Sequence, residues 1–295
     1  MDLLAKAQTF VRIVEAGSFS AAGRGLGLSL PAISRQVSAL EQDLDAKLFV
    51  RTTRSLHLTE EGKRFLEHAQ RLLRDADAAR ASVRSEGALS GSVVLSASVS
   101  LGILRIVPKL PRLLAAHPAL DLSLRLEDRS ADLVSEGVDI AVRAGLELPD
   151  TTSLVGQALA TFSRVLVASP GYLRKRGTPR SVAALSVHHA VLGLDSSPAW
   201  RFNEDGETRT VSVATALRVG TLLAVKTAAV AGIGIAILPD FVVQDALADR
   251  SLRALLPEAA LASVAAHALY RVEGRGSPRI EAVLAHLRAT VPLGG

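Results

Sequence analysis

Ser29, Pro31, Ser34, Arg35, Gln36 and Ser38 form the densest polar group in this chain with the chemistry to read another molecule. Short hydroxyls, one amide and one guanidinium match the donors and acceptors on base edges in the major groove of double-stranded DNA. A second group, Arg51, Thr52, Thr53 and Arg54, lies in a stretch from Lys47 to Thr59 without an acid and suits phosphate oxygens. A third is spread more widely. Ser98 and Ser100, with Leu101 behind them, close an apolar run where free N–H groups favour an anion, and Arg143 can pair with a carboxylate. Phe202 would add an apolar wall, and Gly220 with Thr221 would offer N–H groups at a helix start. Two bland alternatives stand beside these: Ser100 only caps its helix, and Arg143 pairs with Asp128 or Glu147.

Other chemistry is poorly supported. Gly232-Ile-Gly234 follows a helix and enters a strand, the reverse of a phosphate-cradling loop, and reads as a C-cap. His188 and His189 are adjacent, so on a strand their imidazoles point apart; no metal site is expected. The chain has no cysteine, which excludes disulfides, Cys-based zinc sites and thiol catalysis. No nucleophile-elbow pattern occurs. No catalytic residue and no cofactor are therefore assigned.

The elements that must position the first group are helices. Ser18 or Ser20 caps a first helix that Gly27 stops, and Ser29 caps a second with Pro31 in its first turn. Ile33, Val37, Leu40 and Leu44 form the inward stripe of that second helix. Asp2–Glu15 supplies a third helix, with Leu3, Leu4, Ala7, Phe10, Val11 and Val14 on one face. Lys47–Thr59 reads as a two-stranded wing. Helix, turn and helix alone would fit any αα-hairpin; together with the wing they make a winged helix-turn-helix.

Phe10 to Gly62, FVRIVEAGSFSAAGRGLGLSLPAISRQVSALEQDLDAKLFVRTTRSLHLTEEG, resembles the N-terminal pattern of LysR-type transcriptional regulators. Weaker matches at Asp139–Gly145, Val167–Leu173, Trp200–Phe202 and Ala231–Pro239 extend the resemblance over essentially the whole chain. It implies a homodimer or homotetramer and a two-lobed, periplasmic-binding-protein-like α/β effector domain. Three departures are visible. The family usually carries Gln where this chain has Leu30, a helix former at Gly23 and Gly25, and Asn or Asp near Thr221.

From Thr59 to about Gly87 a long helix is expected, with Phe65, Leu66, Ala69, Leu72, Leu73, Ala76, Ala79 and Val83 as its apolar stripe. It has no evident neighbour in its own small domain, so it either pairs with a copy of itself or folds back on the wing. Ser85–Ser92 reads as a hinge. Strands then alternate with helices, with a first strand Val93–Ser100 bearing Ser96, Ser98 and Ser100 on one face, and imply a parallel sheet. The expected division is 1–58 for the winged domain, 59–91 for the linker helix and hinge, and 92–295 for effector binding. Lobe I would take about 92–161 and 267–295, and lobe II about 162–266; the resemblance alone places those crossovers.

With 295 residues and 48% apolar content there is core for two or three domains. A net charge of +5 mildly favours a polyanionic partner. Asp2 and Glu15 speak against a signal peptide, and no uninterrupted apolar run of about 18 residues offers a membrane span; a cytoplasmic protein is expected. The resulting reading is a DNA-binding transcriptional regulator, not an enzyme, controlled by a small effector, expected to be a carboxylate, in an interlobe cleft. A solute-binding protein or a cleft enzyme of the same α/β architecture is the alternative.

Overall fold

The computed structural model describes residues 2–51, 56–84, 89–128, 137–145, 153–204 and 206–292. These fall into two compact units: residues within Met1–Val94, His117–Ser123 and Asp132–Val138, and residues within Leu95–Ala116, Leu124–Ala131 and Asp139–Gly295.

The first unit begins with three helices, α1 (Leu3–Ala16), α2 (Phe19–Leu26) and α3 (Leu30–Asp43). Each is started by a side-chain cap, from Asp2, Ser18 and Ser29 respectively, and α1 and α2 end at left-handed glycines, Gly17 and Gly27. The wing follows as an antiparallel ribbon, β1 (Phe49–Arg51) and β2 (Leu56–Leu58). Phe10, Ile13, Ile33, Val37, Leu40, Leu48 and Phe49 form the core. Phe10 meets Phe49 at 5.1 Å and Phe65 at 5.2 Å between ring centroids. Such pairs add about 0.5–1.5 kcal/mol each beyond the area they bury. Leu3 and Leu44, expected inside, are exposed, and Ile13 is buried in their stead.

The long helix is α4 (Glu60–Arg84), started by Thr59, whose hydroxyl accepts from Gly62 N at 2.8 Å. It does have a neighbour. Phe65, Leu66, Ala69 and Leu73 pack on the winged core, mainly against α1, while Leu72 stays exposed. A Cβ at Gly62 would lie 2.1 Å from Leu48 O, so glycine is what lets α4 start this close to β1. Of the expected hinge, 85–88 lie outside the described residues, as does the helix expected over 130–136.

The remaining chain builds sheets. Strand β3 (Gly91–Ala97) leads into a continuous helical run: α5 (Val99–Leu101), a π-turn over Gly102–Ile106, a 3-10 turn over Val107–Lys109 and α6 (Leu110–Ala116). Strands β4 (Leu120–Leu126), β5 (Ile140–Ala144) and β6 (Leu154–Phe162) follow. Then come β7 (Arg164–Ala168), α7 (Pro170–Arg176), β8 (His189–Gly193), β9 (Ala199–Glu204), β10 (Glu207–Ser212), β11 (Ala214–Val219) and α8 (Leu222–Val230). The chain ends with β12 (Ala236–Pro239), α9 (Asp240–Ala248), β13 (Arg253–Leu255), β14 (Val264–Arg271) and α10 (Pro278–Thr290).

A five-stranded sheet has the order β4-β3-β5-β14-β6. It is mixed rather than parallel: β3 runs parallel to β5, but β14 is antiparallel to both of its neighbours. The chain leaves this sheet at Phe162 and returns at Val264, where β14 pairs antiparallel with β6 from Val264↔Phe162 to Arg271↔Leu154. Between those points β12-β7-β13, β11-β8 and the β9/β10 hairpin surround a second core that includes Leu166, Leu185, Trp200, Phe202 and Ile235. A Cβ at Gly234 would meet His189 O at 2.5 Å, which explains that glycine beside the expected C-cap.

Candidate nucleic-acid interface and ligand cavity

Helix α3 presents Pro31, Arg35, Ser38 and Gln42 to solvent at four- and three-residue steps, with Leu30 exposed and Ser34 half-buried beside them. Arg35 Nε donates back to Pro31 O at 3.4 Å, holding the guanidinium over the first turn. Gln36 departs from the expected free polar face. It is half-buried, and its amide oxygen accepts from the Thr9 hydroxyl at 2.5 Å, which ties α3 to α1 while its NH2 has no such tie among the described residues. Gln42 went unnoticed in the sequence, although it lies four residues beyond Ser38. Thr52, Thr53 and Arg54 lie outside the described residues; Arg51 ends β1, and its side chain is likewise outside them.

The support behind this face is ionic. Glu41 is buried, and its Oε1 accepts from Leu48 N at 2.9 Å and Phe49 N at 3.4 Å, while Oε2 accepts from Lys47 Nζ at 2.8 Å. Burial pushes its carboxyl pKa up, but the hydrogen bonds from Lys47, Leu48 and Phe49 outweigh it, and the carboxyl titrates below its ordinary value. Lys6, also buried, pairs with Asp43. Helix α3 is thereby fastened to α1 at one side and to the start of the wing at the other.

The residues expected to bind a carboxylate are disposed otherwise. The first strand ends at Ala97, so Ser98 and Ser100 are not on it: Ser98 is the N-cap of α5 and Ser100 is buried within that helix. The carboxylate on the first free N–H is internal, since Asp128 Oδ1 accepts from Val99 N at 2.9 Å. Arg143 is buried; its Nη2 donates to Ser96 Oγ at 2.7 Å, and Ser96 Oγ donates to Glu127 Oε1 at 3.3 Å. Leu101 and Phe202 are fully buried, Thr221 caps α8 through Ala224 N at 3.1 Å, and Gly220 is exposed.

None of these seven residues lines a cavity of about 340 Å³ found in the second core. Its wall is Val191, Leu192, Trp200, Leu222, Val225, Ile237 and Leu261, with Ser196, Ser197, Arg164 and Arg201 as its polar groups. Arg164 Nε donates to Ala262 O at 2.6 Å, and burial lowers its pKa. Among the described residues no carboxylate pairs with Arg164 or Arg201. Arg218 shapes the rim, its Nη1 reaching Gly193 O at 3.2 Å, Leu194 O at 3.0 Å and Ser196 O at 2.8 Å. His188, just before β8, is buried against Tyr172, with its Nδ1 3.2 Å from the phenol oxygen, a structural histidine.

Residues 4–63 match the family described as bacterial regulatory helix-turn-helix protein, lysR family, and residues 86–292 match the LysR substrate binding domain. The chain belongs to the LysR-type transcriptional regulators. Among curated relatives it is 33% identical to a probable HTH-type transcriptional regulator LtrA of Klebsiella pneumoniae, over 99% of this chain and 96% of that one. It is 35% identical to the HTH-type transcriptional regulator CrgA of Neisseria meningitidis serogroup C, over 84% and 83% of the two chains. The solved structure of CrgA from Neisseria meningitidis superposes with a TM-score of 0.62 at 29% identity, covering 97% of each chain. That of the Vibrio cholerae virulence activator AphB gives 0.64 at 25%, covering 98% and 99%. This LysR-type regulator thus joins a DNA-binding helix-turn-helix to an effector-binding domain. Its named relatives are transcriptional regulators, not enzymes, and among the described residues no helix is long and apolar enough to cross a membrane.

Proposed function

We propose that this regulator reads operator bases with Ser29, Pro31, Ser34, Arg35 and Ser38, aided by the NH2 of Gln36, and holds phosphates with Arg51, Thr52, Thr53 and Arg54. The effector is assigned to the chemical class of a small carboxylate with an apolar body. Two guanidiniums, Arg164 and Arg201, without a carboxylate partner among the described residues and set beside the apolar wall of the cavity with Ser196 and Ser197, support that class. The protein acts in the cytoplasm as a homodimer or tetramer, with residues 1–58 on DNA, 59–91 as linker and 92–295 as the effector module. Catalysis forms no part of this reading, in which the described residues at the cavity serve to bind a ligand.

Trp200 is the chain's only tryptophan and lines the cavity, so its fluorescence reports occupancy directly. Titrating a panel of small aliphatic and aromatic carboxylates into the full chain is expected to give saturable quenching or a spectral shift with at least one of them. Arg164→Ala and Arg201→Ala should each weaken that ligand by about 10-fold or more, the order of a lost charge-assisted hydrogen bond. Equal binding of an uncharged amide of the same ligand would refute the anionic class. Footprinting on the DNA upstream of its own gene tests the operator half.

A further inference from the structure

Leu30 is the most exposed large apolar side chain of α3, at 49% of its full accessible area, and it occupies the first residue of the helix. Its neighbours Ser29 and Pro31 are also exposed. A single exposed leucine is ordinary on a protein surface; its position is what gives this one meaning. The leading turn of a recognition helix meets base edges, and an isobutyl group can neither donate nor accept there. The one apolar feature that a base pair presents in the major groove is the 5-methyl group of thymine. Arg35 Nε donates to Pro31 O over the same turn, so a guanidinium stands beside the exposed isobutyl group of Leu30.

We infer that Leu30 is a specificity-determining residue that reads a thymine methyl in each operator half-site. The inference rests on α3 being the DNA-reading helix. It also states what the departure from the family's usual Gln does: an amide suited to adenine is replaced by a group suited to thymine.

The test uses the full chain. Duplexes are selected from a randomised pool, and in the selected sequence each thymine is replaced in turn by deoxyuridine, which removes the methyl and nothing else. The expected result is one symmetry-related thymine pair at which the exchange weakens wild-type binding about fourfold per half-site. That corresponds to ~0.8 kcal/mol for one methyl-sized group. In Leu30→Ala the same exchange should cost nothing, and Leu30→Gln should select a base other than thymine there. A penalty retained in Leu30→Ala would assign the methyl to another residue such as Pro31 and overturn the inference, as would indifference to deoxyuridine throughout. If no duplex is enriched, the DNA-reading assignment fails as well; enrichment without a Leu30-dependent methyl effect refutes this inference alone. Because Leu30 is exposed, both variants should fold, which circular dichroism checks.

Discussion

Glu41 shows how much of the surface proposed to read DNA rests on one buried side chain behind it. Its carboxylate joins α3 to Lys47 and to the N–H groups that open the wing. Glu41→Ala leaves those N–H groups buried without an acceptor and should cost about 2–3 kcal/mol, the usual size for a lost charge-assisted bond. Because the folded pKa is depressed, the contribution is complete above the unfolded value of about 4.3 and is lost as pH falls through the folded pKa. Denaturation followed by circular dichroism should therefore separate wild type from Glu41→Gln at pH 7 and bring them together at the acid end. A gap that stays constant with pH would show that the charge is irrelevant.

The two α2 glycines make a second residue-level contrast. A Cβ at Gly23 would come within 2.8 Å of Leu28 O, whereas at Gly25 it would meet nothing within 4 Å. Gly25→Ala should stabilise by ~1 kcal/mol through helix propensity, and Gly23→Ala should destabilise.

At the scale of elements, α3 and the wing are proposed to divide the work between them. Arg35→Ala should relax sequence choice, while Arg51→Ala and Arg54→Ala should weaken all duplexes alike and reduce the salt slope by about one each. Salt titrations on specific and random duplexes distinguish the two effects, and three identical responses would contradict the division. In the second core, the turn Gly193–Ser196 keeps its shape through the three carbonyls that Arg218 collects. Arg218 does not line the cavity, so it is a positioning residue. Arg218→Ala should weaken carboxylate binding about 3–10-fold, with Arg218→Lys restoring part of it by replacing some of those bonds. The Trp200 signal measures both.

For the whole molecule, a ligand in the cavity can alter DNA binding only through a difference in its affinity for two arrangements of the assembled protein. The first half of α4 is already committed to its own winged core, so a dimer seam would draw on what that packing leaves over, of which Leu72 is an exposed example. Leu72→Asp should then lower the dimer fraction in analytical ultracentrifugation and leave the Trp200 titration unchanged. In a footprint, the cavity ligand should shift the protected boundaries or the spacing of hypersensitive bonds, and Arg164→Ala should abolish that shift.

What the sequence determined by itself was local. Asp2, Ser18, Ser29, Thr59 and Thr221 each lie beside the helix they start, and the inward stripe of α3 repeats within one element, so short-range hydrogen bonding and periodicity suffice to read them. The long N-terminal motif carried the family. Tertiary structure decided which polar groups remain available. Gln36 turns to Thr9, Arg143 to Ser96 and Glu41 to the wing, and every one of those partners is remote in sequence or set by a turn. The cavity proposed for the effector was invisible for the same reason. One early strand end at Ala97 left Ser98 as an N-cap and Ser100 inside a helix, while Arg164, Trp200, Arg201 and Leu261 meet only after separate strands have found their register. Side-chain availability is a property of packing between distant segments, and no spacing within a single segment records it.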